Sequence, residues 1–529
     1  MEIAQSHTTT KAAFGLAVVY LVYYAYTALD LWSRRRALKR EKGVLDAPRW
    51  PQKDPIYGLD LFFENIAALK SHIILELGHR RFQEIKANTF QLTALGRHMH
   101  VTTESENLKT IQAIDHKKWS LGKRRKTGFR PLLGDGIFTT DGAEWKHSRE
   151  MLRPSFVRSQ VGDVETFEKH VSRLIETIKP GQVVDLSERF FRLTIDSATE
   201  FLFGESTESL TNASNDGFAE SFTNSQDFIA NLSRWGAWAK LFPANKQFQK
   251  DKTFVHDFVD YYVQKGLAKR DQLLAEKSTA DQNGRYVFID ELVRQTTDPV
   301  RIRSELLNIL LAGRDTTASL LSNAWFFLGK RPDIWEKLQA DVAQLKGARP
   351  TFEQLKELKY LKALLNESLR LHPVVPMNSR EALEDTTLPV GGGPDGRAPV
   401  FIPKGEIMAW NVYAMHRRKD YYGEDAEEFK PERWLDDPET GKKGLRPGWE
   451  YLPFNGGARI CLGQQFALTE ASYTTVRLCQ AFSGLEGCDP EPWREFLTLT
   501  CTSLKGTKVI LTPRGGAARH PAMSNSVHI

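Results

Sequence analysis

The sequence predicts a mainly α-helical chain with a small β-sheet subdomain and a single N-terminal transmembrane helix. Three observations carry that reading. Stretches at 164–178, 253–277, 301–329 and 351–371 repeat apolar residues at three- and four-residue spacing, the helical period. The stretch 386–413, TTLPVGGGPDGRAPVFIPKGEIMAWNVY, instead separates short extended runs with glycine turns, as a small sheet does. Residues 12–29, AAFGLAVVYLVYYAYTAL, contain no charge at all.

The N-terminal run comes first. As a helix, 12–29 reaches ~27 Å, about one hydrocarbon core. Lys11 precedes it, whereas Arg34, Arg35, Arg36, Lys39 and Arg40 follow, and that imbalance keeps the downstream side in the cytosol. The alternative is a cleaved signal peptide; the run exceeds a typical signal core and the basic cluster would resist translocation. The expected organisation is an anchor over 1–33, a basic, proline-rich linker over 34–55, and one catalytic domain over 56–529. The prolines at 48, 51 and 55 make APRWPQKDPIYGLD, 47–60, a stiff, non-helical connector. With the domain cytosolic, the sequons at Asn212, Asn231 and Asn366 should carry no sugar. In 351–371, Thr351 and Gln354 form a capping-box pair, Leu358, Leu361, Leu365 and Leu369 share a face, and Pro373 ends the helix.

Composition narrows the function. The chain has 529 residues, 41% hydrophobic and 26% charged, enough for a large core. A net charge of +6 with no basic stripe interleaved with aromatics gives nucleic-acid binding no support. The densest interior run, KRRK at 123–126, reads as a solvated loop. All four cysteines (Cys461, Cys479, Cys488, Cys501) lie late in the chain without a CxxC spacing, which argues against a disulfide framework or zinc site and for a reducing compartment.

Four local features need a joint explanation. LLAGRDTTASLL, 310–321, puts Gly313, Asp315 and Thr316 inside an apolar helix. Polar groups there are costly to bury unless partnered or functional, and the bland alternative is a kinked helix with a wet side. Glu367 and Arg370, three apart in a leucine-rich helix, share a face; they are either an exposed pair of small value or a buried, bidentate one. FKPERWLD adds a proline corner carrying Arg433. Finally, FNGGARICLGQQFALTE, 454–470, sets Cys461 in a glycine-rich turn just before a helix, where N–H groups can stabilise a thiolate. The alternatives for Cys461 are a buried free thiol and a catalytic nucleophile; a hydrolase would need a histidine base, and none lies between 417 and 519.

In this order and at these spacings, the four features resemble the cytochrome P450 superfamily of haem-thiolate monooxygenases. Phe454, Gly457, Arg459, Cys461 and Gly463 match its Phe-x-x-Gly-x-Arg-x-Cys-x-Gly signature, and WKHSR supplies its Trp-x-x-x-Arg as Trp145 and Arg149. The resemblance runs from about residue 50 to 512. It implies the P450 fold and haem b as cofactor, with Cys461 the axial thiolate ligand of the iron. Trp145, Arg149, Arg380 and Arg459 would hold the propionates, with Phe454 and Gly463 completing the haem-binding loop. Asp315 and Thr316 would line the distal pocket and deliver protons for oxygen activation. Glu367, Arg370 and Arg433 would form the ion triad that fixes the cysteine loop.

Longer stretches, such as SLGKRRKTGFRPLLGDGIFTTDGAEWKHSREMLRPSF, are similar to the fungal membrane-bound hydroxylases of n-alkanes and fatty acids. One departure is Ala458, where that group usually has proline. The expected function is hydroxylation of a long aliphatic chain with O2 and with electrons from NADPH, supplied by an NADPH–cytochrome P450 reductase with cytochrome b5 as an optional second donor, at the endoplasmic reticulum membrane. The first alternative is a tailoring oxidase of a fungal secondary-metabolite pathway acting on a polyketide, terpenoid or other lipophilic product. A reductase-independent isomerase or dehydratase, or a non-enzymatic haem sensor, is disfavoured by the intact Asp315–Thr316. Residues 228–242 are a candidate apolar entry region, with core packing as the alternative. Arg417, Arg418 and Lys419 are candidates for reductase docking, with a solvated loop as the alternative.

Overall fold

A computed structural model describes residues 2–156, 164–212, 216–235, 245–275 and 286–515, with the side chains of 2–17 and 216 outside the described set. The predicted helices are present, with instructive differences. The period at 164–178 becomes the helix Glu165–Thr177, and 301–329 becomes Pro299–Lys330, the longest helix of the domain. The latter starts where Asp298 accepts from the N–H groups of Val300 and Arg301 while Pro299 supplies a first-turn residue that needs no N–H partner. The period at 253–277 divides into Lys246–Ala268 and Arg270–Ala275, and its last two residues lie outside the described set.

The 351–371 segment has its capping box, Thr351 N donating to Gln354 Oε1 at 2.9 Å and Gln354 N to Thr351 Oγ1 at 3.3 Å. It is nonetheless two helices, Phe352–Glu357 and Lys359–Leu371, broken where Leu358 is extended. The cause is tertiary. Asp341 Oδ2, from the preceding helix, accepts from the N–H groups of Tyr360 and Leu361 at 2.9 and 3.0 Å and restarts the helix. The glycine-rich stretch makes the antiparallel pair Thr386–Gly392 and Ala398–Ile402, but its last strand joins a larger sheet. That sheet runs in the order Thr89–Ala94, Arg97–Thr102, Ile407–Asn411, Met377–Ala382, Trp119–Ser120, and only its second and third strands are parallel.

The core surrounds the central helix Pro299–Lys330. The helices Leu186–Phe203, Lys359–Leu371 and Gln464–Ala481 pack against it, and Arg314 reaches Thr223 of the helix Asp216–Trp235. Most of its residues are buried from Ile302 to Leu328, yet Leu311, Ala312, Gly313 and Thr316 are only half-covered. A helix this deep with an uncovered middle lines an internal cavity.

At the N-terminus one helix, Glu2–Glu41, runs through the expected boundary at residue 33. Among the described residues no helix is long and apolar enough to cross a membrane. The start of the 12–29 run falls on side chains outside the described set. The segment after this helix is stitched down: Arg35 grips Asp385 with two bonds of 2.9 Å, Leu45 N donates to Pro399 O, and Trp50 N to Gln91 O.

Candidate active site

The turn that carries Cys461 is set by its backbone. Gly457 has φ +59°, and a Cβ there would stand 2.0 Å from Gln112 O, so no other residue fits. At Gly456 the obstacle is the Trp449 ring, 2.6 Å from a built Cβ. Gly463 is different: its φ is −87° and the nearest protein atom to a built Cβ would be 3.6 Å away, so neither backbone nor protein neighbours demand glycine there. The loop closes on itself through Cys461 N donating to Phe454 O at 3.0 Å. Gln112 Oε1 accepts from Gly456 N at 2.8 Å, and Arg149 Nη1 donates to Ile460 O at 3.0 Å. Phe454 packs against the main apolar core.

The thiol of Cys461 lies deep in the fold, where burial pushes its pKa up while the Gly463 N–H and Arg149 pull it down. Its surface is nevertheless left open by its neighbours, as is that of Ile460. The two facts agree if the residue faces a cavity enclosed by the protein rather than bulk water. A cationic metal at the sulfur would supply the remaining charge stabilisation a thiolate needs.

Beside the loop stands a cluster of desolvated cations. Arg459 lies 4.3 Å from the Trp145 ring, donates to Asp141 Oδ1 at 2.6 Å and to Thr140 O at 3.2 Å, and burial lowers its pKa to about 10. Arg380, 7% exposed, is lowered to about 9 by burial and by Arg125 and Arg459. Arg125 is lowered to about 10, also by burial; it donates to Asn378 Oδ1 at 3.2 Å, and its buried Nε has no partner among the described residues. Arg149 is desolvated too, 5.8 Å from the centre of the Trp145 ring. Asp141 is the acid that acts on Arg125, Arg380 and Arg459 together. Three buried guanidiniums against one carboxylate leave an excess of positive charge, which fits a ligand with two carboxylates.

Arg125 was not singled out by sequence reasoning, and KRRK is corrected here. It is part of a helix, Gly122–Leu133, whose Arg124 bonds the carbonyls of Ser233 and Arg234 while Lys126 meets Asp141 at 3.0 Å. Only Lys123 of the four is exposed.

On the central helix, Asp315 is 4% exposed and burial raises its pKa. Thr316 Oγ1 donates to Ala312 O at 2.6 Å. The next residue, Thr317, lies near Glu470 of the C-terminal helix, a fully buried acid raised to about 7 by burial and held by Ser197. Glu470 closes the quoted cysteine stretch and sequence reasoning passed over it.

The expected triad is built. Glu367 Oε1 and Oε2 each accept from Arg370 at 2.8 Å, both residues fully buried. Oε1 also takes the Lys430 N–H at 2.9 Å and faces Arg433 Nε at 3.4 Å, and Oε2 takes Trp434 Nε1 at 2.9 Å. Arg370 then reaches the carbonyls of His416, Ala426 and Glu428, and Arg433 those of Tyr422 and Asp425. Asn366 next to it is half-buried, its carbonyl taking the Tyr451 hydroxyl at 3.0 Å. Arg417 and Arg418 are not free for docking: Arg417 pairs with Glu427 at 2.9 Å, and Arg418 with Glu104 at 3.0 Å. Lys419 pairs with Glu424 at 2.7 Å on the surface. Of the candidate entry region 228–242, residues 236–242 lie outside the described set; Trp235 meets Phe62 edge-on at 5.0 Å.

The family model of cytochrome P450 matches residues 56–506. The chain belongs to the cytochrome P450 family. It is similar to the cytochrome P450 monooxygenase himC of Aspergillus japonicus, 43% identical over 512 residues covering 96% of this chain and 90% of that protein. Cytochrome P450 52A12 of Debaryomyces hansenii is 42% identical, covering 96% of this chain and 98% of its own. Cytochrome P450 52A6 of Candida tropicalis is 47% identical, over 89% and 94%. P450s bind a haem iron through a cysteine thiolate, take electrons from a redox partner and act on lipophilic substrates. The residues present fit that group. Among the described residues no three His, Cys, Asp or Glu side chains converge to hold a metal, so an iron at Cys461 must bring its other ligands with it, as a porphyrin does.

Proposed function

We propose that this P450 is a membrane-anchored monooxygenase that hydroxylates a long aliphatic chain, a fatty acid, an n-alkane or a similar lipophilic molecule. The observation that carries the site is the pairing of an uncovered, desolvated Cys461 thiol with the under-neutralised Arg125–Arg380–Arg459 cluster. In this reading Cys461 holds the iron, Trp145, Arg149, Arg380, Arg459 and Arg125 hold the propionates, and Phe454 and Gly463 shape the loop. Bound there, haem supplies the oxygen-activating chemistry that a thiolate ligand favours.

The protein's own groups supply the protons. Burial raises the Asp315 pKa, so it retains a proton more readily than an ordinary aspartate. With its O–H committed to Ala312 O, Thr316 Oγ1 is free to accept a hydrogen bond from the cavity side. Glu367, Arg370 and Arg433 fix the 416–434 segment, whose His416 and Trp434 pack against Tyr451 just before the cysteine loop.

The anchor reading is supported by the uncovered Val18, Val19, Leu21, Val22 and Leu29 on one long helix. With it come a cytosolic catalytic domain at the endoplasmic reticulum, electrons from NADPH through a P450 reductase, and cytochrome b5 as an optional donor. The aliphatic substrate class rests on the long similarity to the cytochrome P450 52A proteins. A second reading, a tailoring oxidase, is favoured by comparable similarity to himC and to the P450 monooxygenase fsdH of Fusarium heterosporum.

Microsomes containing the protein and a fungal reductase, supplied with NADPH and a panel of fatty acids, alkanes, terpenoids and polyketides, test the proposal. Oxidation of fatty acids or alkanes supports it, and turnover only of the latter two classes replaces it with the second reading. A Cys461→Ser variant that kept the parental carbon-monoxide spectrum and activity would overturn the site.

A further inference from the structure

Two arginines meet at the end of the helix Asp216–Trp235, inside the candidate entry region. Arg124, on the helix Gly122–Leu133, donates through Nε to Ser233 O and through Nη2 to Arg234 O at 2.5 Å. Arg234 donates through Nη2 to Thr498 O at 3.2 Å and Leu497 O at 3.4 Å, both on the hairpin at 495–503, and through Nη1 to Asn231 Oδ1 at 2.6 Å. The two helices touch here: a Cβ on Gly128 would stand 2.8 Å from Ser233 Cβ.

These partners leave the charge unanswered. All of them are carbonyl or amide oxygens, and among the described residues neither arginine forms an ion pair. Burial, with repulsion from Arg97 and Arg234, lowers the Arg124 pKa to about 10. Burial lowers that of Arg234 as well, against the attraction of Asp227. Residues 236–244, next in sequence, contain no acid. The partial negative charge of a helix end favours a cation beside it, but two desolvated guanidiniums next to Arg97 exceed that charge. Both are half-buried, and Arg124 Nη1 makes no hydrogen bond among the described residues, so a donor remains open.

The wall between this pair and the centre is apolar. Phe129 on the helix of Arg124, Phe228 on the helix of Arg234, Leu499 next to Thr498 and Leu311 on the central helix are half-covered and pack on one cluster. Leu462, next to Cys461, packs on it too. The hairpin links the two ends, since Ser319, three residues beyond Thr316, donates to Thr500 Oγ1 at 3.1 Å. Thr223 takes Arg314 of the central helix at 2.8 Å, and ~16 Å of helix separates it from Arg234. An extended acyl chain of ordinary fatty-acid length spans such a gap.

We propose that Arg124 and Arg234 form a carboxylate subsite remote from the reactive centre, which holds the acid group of a fatty acid and leaves the far end of its chain beside Thr316. This rests on the aliphatic reading of the substrate and deepens it, selecting the acid over the n-alkane. An apolar cavity alone gives an apolar chain no direction; a few placed polar groups fix orientation. A charge-assisted contact at one end of the chain supplies it here. The carbonyls keep the guanidiniums in place, and the carboxylate takes the donors they leave over.

The test uses the haem-loaded, full-length protein and three variants, Arg124→Met, Arg124→Lys and Arg234→Met, with tetradecanoic acid, its methyl ester and tetradecane as probes. Two quantities are read: the Kd of acid and ester from the spin-state change at the haem, and the position of the hydroxyl group in the product formed with reductase and NADPH. The parent should bind the acid more tightly than the ester. Each methionine variant should raise the Kd of the acid relative to that of the ester by about 10- to 100-fold, the loss of one charge-assisted contact, and should spread oxidation of the acid inward from the chain end. Arg124→Lys should keep part of the preference. A purely structural role in capping the helix would weaken acid and ester alike, so an unchanged ratio in both methionine variants overturns the subsite. If Arg124→Met yields no haem-loaded protein, the ratio in Arg234→Met decides. No oxidation of acid, ester or alkane by the parent sinks the aliphatic reading and the subsite with it, whereas turnover with an unchanged ratio sinks the subsite alone.

Discussion

Arg380→Met should move two stabilities in opposite directions. The Arg380 guanidinium sits in a residue 7% exposed, bonds only Asn378 Oδ1 and Ser379 O among the described residues, and is pressed by Arg125 and Arg459. Its pKa falls to about 9 from 12.5, so keeping it charged in apoprotein costs about 5 kcal/mol at 1.36 kcal/mol per pK unit. Methionine preserves much of the apolar stem over Trp410 and removes that cost. Apoprotein from iron-limited cells should therefore be stabilised by a few kcal/mol. In the holoprotein the same change deletes a charge-assisted contact worth ~1.5–3 kcal/mol to a haem carboxylate. Haem transfer to an acceptor globin should then run roughly 10- to 100-fold faster. The sign of the pH dependence is fixed as well. A cation with a lowered folded pKa favours the folded state as pH rises from about 9 toward 12.5. Parent apoprotein should thus gain stability on going from pH 8 to 10, and the variant should gain less. Apoprotein destabilised by the substitution, or an unchanged rate of haem transfer, would refute the assignment of Arg380 to an anion site.

Arg370→Ala leaves Glu367 charged, fully buried and short of its main partner, a loss of about 3–5 kcal/mol; little haem-loaded protein should accumulate, read as the carbon-monoxide spectrum per unit of protein. Thr316→Ala should retain the parental spectrum but divert reducing equivalents to peroxide, measured as peroxide per NADPH; unchanged coupling removes Thr316 from proton delivery. Glu470, raised to about 7, favours the folded state below its unfolded value of 4.5, an advantage lost as pH rises to about 7. Glu470→Gln should flatten the fall in melting temperature across that window, by calorimetry.

What was legible in the sequence had a local cause. The cysteine loop could be read because Gly457 and Phe454 act within a few residues of Cys461, one by its left-handed backbone and one by the carbonyl that takes the cysteine N–H. The Glu367–Arg370 pair could be read because helical spacing alone puts the two on one face. The break at Leu358 could not, since its cause is Asp341 on another helix, and the local pattern remains that of one continuous helix.

Arg125 shows why the missing part of the site was hidden. In sequence it is one of four consecutive cations, and such runs usually face water. The fold turns the two middle members inward, and they reach different ends: Arg124 caps the helix Asp216–Trp235, and Arg125 joins Arg380 and Arg459, distant in sequence. Each of these arginines alone would be an unexplained desolvated charge. Together with Asp141 they make sense only if a dianion completes them, so the strongest support for a bound carboxylate pair comes from residues whose proximity no local motif encodes. By the same argument, their cost should vanish from the holoprotein and persist in the apoprotein, which is the contrast Arg380→Met measures.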